Sequence, residues 1–122
     1  MDYDDTNIFA RVLRGEIPCD KVYEDDFALA FRDINPQTPT HVLVIPKGAY
    51  VSFDDFTATA STAEIAGFLR ATGEVARRLG VAESGYRILA NTGRDGRQEV
   101  PHFHLHLFAG QDLGRMIKPV GK

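Results

Sequence analysis

The chain has 122 residues, 43% of them hydrophobic, which suits one compact domain with a single core and leaves no material for a second. Its net charge of −3 offers no general attraction to a polyanion, so a nucleic-acid partner is not expected. A single cysteine, Cys19, excludes an internal disulfide. The absence of a long apolar run excludes a membrane partner, and the acidic start MDYDDTN is unlike a signal peptide, so a cytoplasmic protein is expected.

In chain order, Ile8, Phe9, Val12 and Leu13 recur at helical spacing behind a Thr6 cap, and Gly15 with Pro18 closes this first short helix. Lys21 to Glu24 and Phe27 to Arg32 read as a hairpin turning at Asp25-Asp26, with Phe27, Leu29 and Phe31 alternating onto one face. The stretch NPQTP, Asn35 to Pro39, breaks regular structure, and a β-branched strand follows from His41 to Ile45. From Ser61 to Leu79 a capping box, Ser61 with Glu64, leads a helix whose apolar stripe is Ile65, Leu69, Thr72, Val75, Ala76 and Leu79. Tyr86 to Asn91 reads as a strand, followed by a long loop, TGRDGRQEVP, and then VPHFHLHLFAG.

In that last stretch His102, His104 and His106 alternate with Phe103, Leu105 and Leu107. A strand sends the two sets to opposite faces, whereas a helix would scatter both, so a strand with its apolar set toward the core is expected. The whole pattern is five strands and two helices, an α+β architecture with an antiparallel sheet. Neighbouring imidazoles would stand about 6.6 Å apart on one face and the outer two about 13 Å.

Three chemistries fit three imidazoles in register. Plain surface polarity is served as well by Thr, Lys or Glu and does not explain why all four histidines fall at His41 or in this strand. A metal is poorly served by ligands spread over about 13 Å on one strand, and no cysteine pair assists, so neither a metal nor another cofactor is expected. Nucleophilic attack on a phosphoryl group fits best, since a neutral imidazole is nucleophilic near neutral pH and flanking imidazoles can serve the phosphate oxygens.

The stretch HFHLHLFA resembles the His-x-His-x-His signature of the histidine triad (HIT) family of nucleotide hydrolases and transferases. The blocks FRDINPQTPTHVLVIPKG and YRILANTGRDGRQEVPHFHLHLFAG are similar to its Hint-like branch of purine nucleoside phosphoramidases, the similarity running from about Asn7 to Gly110. The resemblance implies one HIT domain over residues 1–122, with a core at about 7–110 and a tail at 111–122. It also implies a five-stranded antiparallel sheet with two helices, paired as a homodimer.

The resemblance further implies hydrolysis of the P–N bond in AMP or GMP adducts. His104 would be the nucleophile, His102 and His106 its flanking partners, and His41 would complete a proton network with His102. Asp33 would hold the ribose hydroxyls. Ile8, Phe9, Ile17, Phe31, Ile34 and Leu43 would pack the purine, and Asn91, Gln98, Glu99 and Val100 would lie near the phosphate. Glu99 stands where better-known Hint proteins carry a phosphate-contacting serine; ionised, it would repel phosphate, and its side chain is expected to turn away. A dinucleotide polyphosphate hydrolase of the Fhit type and a non-catalytic nucleotide-binding protein are the rival readings. Arg94 and Arg97 could attract an acidic leaving group, or could be solvated loop charges.

Overall fold

A computed structural model describes residues 2–117; the last residues of the expected tail, 118–122, lie outside them. The elements in order are α1 (Ile8–Leu13), β1 (Lys21–Glu24), β2 (Ala28–Arg32), β3 (Thr40–Pro46), α2 (Phe53–Thr59), α3 (Thr62–Arg78), β4 (Arg87–Leu89) and β5 (Leu105–Ala109). All five strands pair antiparallel in the order β1-β2-β3-β5-β4, as the α+β expectation required.

There are three helices rather than two. The extra one, α2, is seven residues long, too short to show a periodic stripe, and starts at Ser52, whose side chain accepts from the Asp55 N–H. Helix α1 is capped by Asn7 instead of Thr6; the Asn7 side chain accepts from the Ala10 N–H at 2.9 Å, while Thr6 turns to Asp4. The Ser61–Glu64 capping box forms as expected.

Strand alternation divides the core between the two sheet faces. Ala28, Ala30, Val42, Val44, Leu105, Leu107 and Ala109 belong to one cluster with Phe68, Ala71, Val75 and Ala76 of α3. Leu29, Phe31, Leu43 and Ile45 form the other, covered by Phe9 of α1. Two expected placements change. On α3 the buried stripe runs through Phe68 and Ala71, and Leu69 is exposed. Phe27 precedes β2 and leaves the Leu29–Phe31 face for α3, its ring occupying the space a Cβ on Gly67 would need.

The histidine strand is shorter than its alternation suggests, because regular pairing begins at Leu105. Its partner β3 pairs Val44 with Leu105 and ends at Pro46, which has no N–H to extend a ladder. His102 and His104 therefore stand before the sheet proper. The side chains still alternate, since Phe103 is held in an aromatic cluster with Phe56 and Phe68, ring centroids 5.0 and 5.3 Å away, and its N–H donates to the Tyr50 carbonyl at 2.7 Å. Burying that ring on the α3 side turns both flanking histidines to the opposite face.

Candidate active site

Pairing of β3 with β5 sets His41 opposite Phe108 and Leu43 opposite His106, which makes His41 and His106 diagonal neighbours on one face. Their rings meet, with His41 Nε2 3.0 Å from His106 Nδ1. The Gln37 N–H points at His41 Nδ1 from 3.2 Å, so that nitrogen accepts and Nε2 carries the proton of the neutral ring. His41 Nε2–H then donates to His106 Nδ1, and the proton of neutral His106 sits on Nε2. Asp33 also faces His41 Nε2, at 3.5 Å.

A second chain of bonds orders the other pair. His102 is fully buried; its Nε2–H donates to the Pro46 carbonyl at 2.9 Å and its Nδ1 accepts from the Tyr3 hydroxyl at 2.6 Å. Its own backbone carbonyl accepts from His104 Nδ1–H at 2.7 Å. A carbonyl can only accept, so the lone pair of neutral His104 is on Nε2. No buried side-chain nitrogen or oxygen among the described residues lacks a partner, and neither His104 Nε2 nor His106 Nε2 is bonded; both therefore open onto the cavity.

Burial keeps all four rings neutral near pH 7. It pushes His102 and His106 down to about 4, helped in both by the neighbouring His104 and in His106 also by His41. His104 and His41 are lowered by the same desolvation; Asp33 opposes it in both, and the His102 carbonyl and Glu99 oppose it in His104. A neutral nucleophile with its lone pair outward, beside a neutral N–H donor, is suited to attack an anionic phosphoryl group.

The HIT domain family profile matches residues 14–113. The chain belongs to the HIT family. An uncharacterised HIT-like protein of Azospirillum brasilense is 69% identical over 115 residues, covering 94% of each chain. The purine nucleoside phosphoramidase of Escherichia coli K12 is 44% identical over 114 residues, 93% of this chain and 95% of that one. Among solved structures, a histidine triad protein from Clostridium difficile superposes with a TM-score of 0.84 at 39% identity, covering 94% of this chain and 98% of that one.

In this HIT domain His104 and His106 open onto a cavity of about 460 Å³ lined also by Asp33, Asn35, Gln37, Asn91, Arg97 and Glu99. An apolar pocket of about 270 Å³ adjoins it, sharing Phe9, Asp33, Leu43, Glu99 and Val100 and adding Ile8, Ile17, Phe31 and Ile34. Nearly all the residues expected to hold a nucleotide are thus brought to one cleft. Ile34 stands at its rim, 89% exposed, and the edge of Phe9 meets the His104 ring at a centroid distance of 4.9 Å.

Four expectations need correction. His41 joins His106, not His102, because β3 and β5 are direct neighbours and their register brings those two rings together. His102 has both ring nitrogens engaged away from the cleft, so it positions His104 through its backbone rather than serving a phosphate oxygen. Gln98 turns out of the cleft, its Nε2 donating to the carbonyls of Val51 and Val100 at 2.6 and 2.9 Å, and thereby pins the 92–98 loop. Glu99 lines both cavities, and its charge reaches His104; it does not turn away.

Tyr3, Asn35 and Gln37 were not singled out from sequence. Tyr3 carries no local signal. The NPQTP break following Asp33 was the only pointer to the other two. Asp33, His41 and His106 bring ligand atoms within 4.8 Å of one another, a spacing a divalent ion can bridge. The Gln37 N–H opposes that use, since it places a proton on His41 Nε2, the atom that faces the other two.

Proposed function

We propose that the protein hydrolyses purine nucleoside phosphoramidates, cleaving the P–N bond of AMP or GMP adducts through a nucleotidyl-histidine at His104. The observation that carries this reading is the fixed tautomer of His104, whose Nδ1–H is held by the His102 carbonyl at 2.7 Å and whose Nε2 opens beside an apolar pocket. The activity named for the Escherichia coli relative supports it.

In this reading the purine enters the apolar pocket and Asp33, which lines both cavities, accepts from the ribose hydroxyls. Phosphorus then lies at His104. Nε2 forms a bond to phosphorus as the P–N bond to the amine breaks, and the amine takes a proton from solvent at the cleft mouth. His106 Nε2–H stabilises the phosphoryl oxygens as charge builds on them. Its orientation is maintained by the relay from Gln37 N–H through His41. Water attacks phosphorus in the second step, loses a proton to solvent, and returns His104 with release of the nucleoside monophosphate.

We also infer a homodimer. β4 is an edge strand, three residues long, with exposed Ile88 on it and exposed Tyr86 just before it. Pairing across a two-fold axis would cover that edge. Sedimentation at micromolar concentration should give twice the chain mass. No helix among the described residues is long and apolar enough to cross a membrane, and Cys19 has no disulfide partner, in keeping with action in the cytoplasm.

Incubation with adenosine 5′-phosphoramidate should release AMP, and rapid quenching should reveal one adenylyl group on His104 by mass spectrometry. Faster cleavage of a diadenosine polyphosphate would replace this reading with the Fhit-type one. Binding of AMP with no turnover of either compound would identify a nucleotide-binding protein without catalysis.

A further inference from the structure

Hydrolysis of a nucleotidyl-histidine is helped by a group that accepts a proton from the attacking water, and the tautomers of the four histidines leave no imidazole to do so. His106 presents Nε2–H to the cavity while its Nδ1 accepts from His41. His104 would be bonded to phosphorus through Nε2, with its Nδ1–H held by the His102 carbonyl. His41 is engaged on both nitrogens by Gln37 and His106, and His102 by Tyr3 and Pro46. Every imidazole lone pair is therefore taken at the moment water attacks.

Two carboxylates line the cavity, Asp33 and Glu99. Asp33 Oδ1 accepts from the Asn35 N–H at 2.8 Å and Oδ2 faces His41 Nε2 at 3.5 Å, so both of its oxygens have partners. Glu99 forms neither an ion pair nor a side-chain hydrogen bond among the described residues. It is exposed and lines the adjoining apolar pocket as well, which sets it at the cleft mouth, where water enters. Its backbone is held from both sides, because Gln98 Nε2 donates to the Val51 and Val100 carbonyls. A fixed root thus carries a free carboxylate.

A negative charge at this place opposes an anionic substrate, yet the intermediate is different. With Nε2 bonded to phosphorus and Nδ1–H retained, the His104 ring is an imidazolium whose charge balances the single negative charge of the phosphoryl group. Arg97, lining the same cavity, adds a further cation. In-line attack brings water to phosphorus from the side opposite Nε2, the side left open by the departed amine.

We propose that Glu99 is the general base of the second step, its carboxylate taking the proton of the water that attacks phosphorus and passing it to solvent. As the O–P bond forms, the P–Nε2 bond breaks, its electron pair returns to Nε2, and His104 regains its neutral tautomer. This rests on the nucleotidyl-histidine of the phosphoramidase reading and adds a catalytic residue to it.

The test separates the two steps with the p-nitrophenyl ester of AMP, whose aryl group departs without a proton and loads His104 whatever the natural leaving group is. Adenosine 5′-phosphoramidate is run beside it. Glu99→Gln keeps the size of the side chain and removes its basic oxygen. The nitrophenolate burst should match the wild-type rate, while adenylylated His104, followed by mass spectrometry, should decay about 10²-fold more slowly and accumulate. Formate should speed the decay in Glu99→Ala and leave the wild type unchanged.

Unchanged decay in Glu99→Gln, or equal slowing of burst and decay, would overturn the proposal. Slowed decay that formate does not restore in Glu99→Ala would give Glu99 a structural role and overturn it too. A wild-type protein loaded by the ester but inert toward the phosphoramidate would refute the P–N reading, while the decay rates still decide the role of Glu99. If neither compound adenylylates the protein, there is no such intermediate, and reading and proposal fall together.

Discussion

The two faces of the sheet differ in how they are covered, and the difference separates stability from chemistry. On one face, the small residues Ala28 and Ala30 let the 17-residue α3 pack closely, and Phe56, Phe68 and Phe103 seal the end. Among the described residues the only helix packed on the other face is the six-residue α1, which cannot span five strands, so a cleft remains with His104 and His106 along it. A sheet closed completely on both sides would have no place for a substrate. Burial on the closed face supplies the stability that lets the open face hold four neutral histidines.

The largest contrast between the faces should come from His104→Ala, which removes the nucleophile on the open side. Phosphoramidate turnover should fall by at least about 10⁴-fold in kcat. AMP should still bind by calorimetry, and the urea midpoint should move little.

Phe68→Ala does the reverse. The ring is fully buried on the closed face, and its removal should destabilise the domain by about 3–5 kcal/mol in urea unfolding. Phosphoramidate turnover per folded molecule should be retained.

Acid should act through the open side. The His102 ring titrates near 6.5 when unfolded and at about 4 when buried, so between these values the unfolded chain binds the extra proton. Its contribution is present above pH 6.5 and is lost as pH falls toward 4, by roughly 3 kcal/mol. His106, lowered to the same value, adds loss of the same sign. Urea midpoints measured from pH 7 to pH 4 should decline, and His102→Gln should flatten the decline.

Tyr3→Phe should have the smallest effect. It removes the 2.6 Å hydrogen bond to His102 and leaves a buried acceptor unpaired, at a cost of about 1 kcal/mol. The urea midpoint should fall slightly. Because His102 places its carbonyl under His104, kcat should also fall, with KM for the phosphoramidate nearly unchanged.

The alternation of HFHLHL determined by itself that Phe103, Leu105 and Leu107 enter the core and that the histidines share the opposite face, since side-chain direction along extended chain depends only on position. Local chemistry likewise determined the α3 capping box and the hairpin of β1 and β2. The resemblance to the HIT family was legible in contiguous blocks around Asp33, His41 and the triad, and most of the proposed nucleotide residues lie in one cleft.

Only the tertiary structure decided which histidine meets which. His41 and His106 are 65 positions apart, and their contact depends on β5 inserting between β3 and β4, a long-range pairing that no local pattern encodes. The same holds for Tyr3, whose hydroxyl reaches a ring 99 positions away. The orientations of Gln98 and Glu99 also escaped a reading by alternation, because the 92–98 loop is shaped by turns and by the Gln98 contact with Val51 rather than by a strand. Hydrogen-bonded partners distant in sequence set the tautomers, and the tautomers determine which nitrogen is free to react.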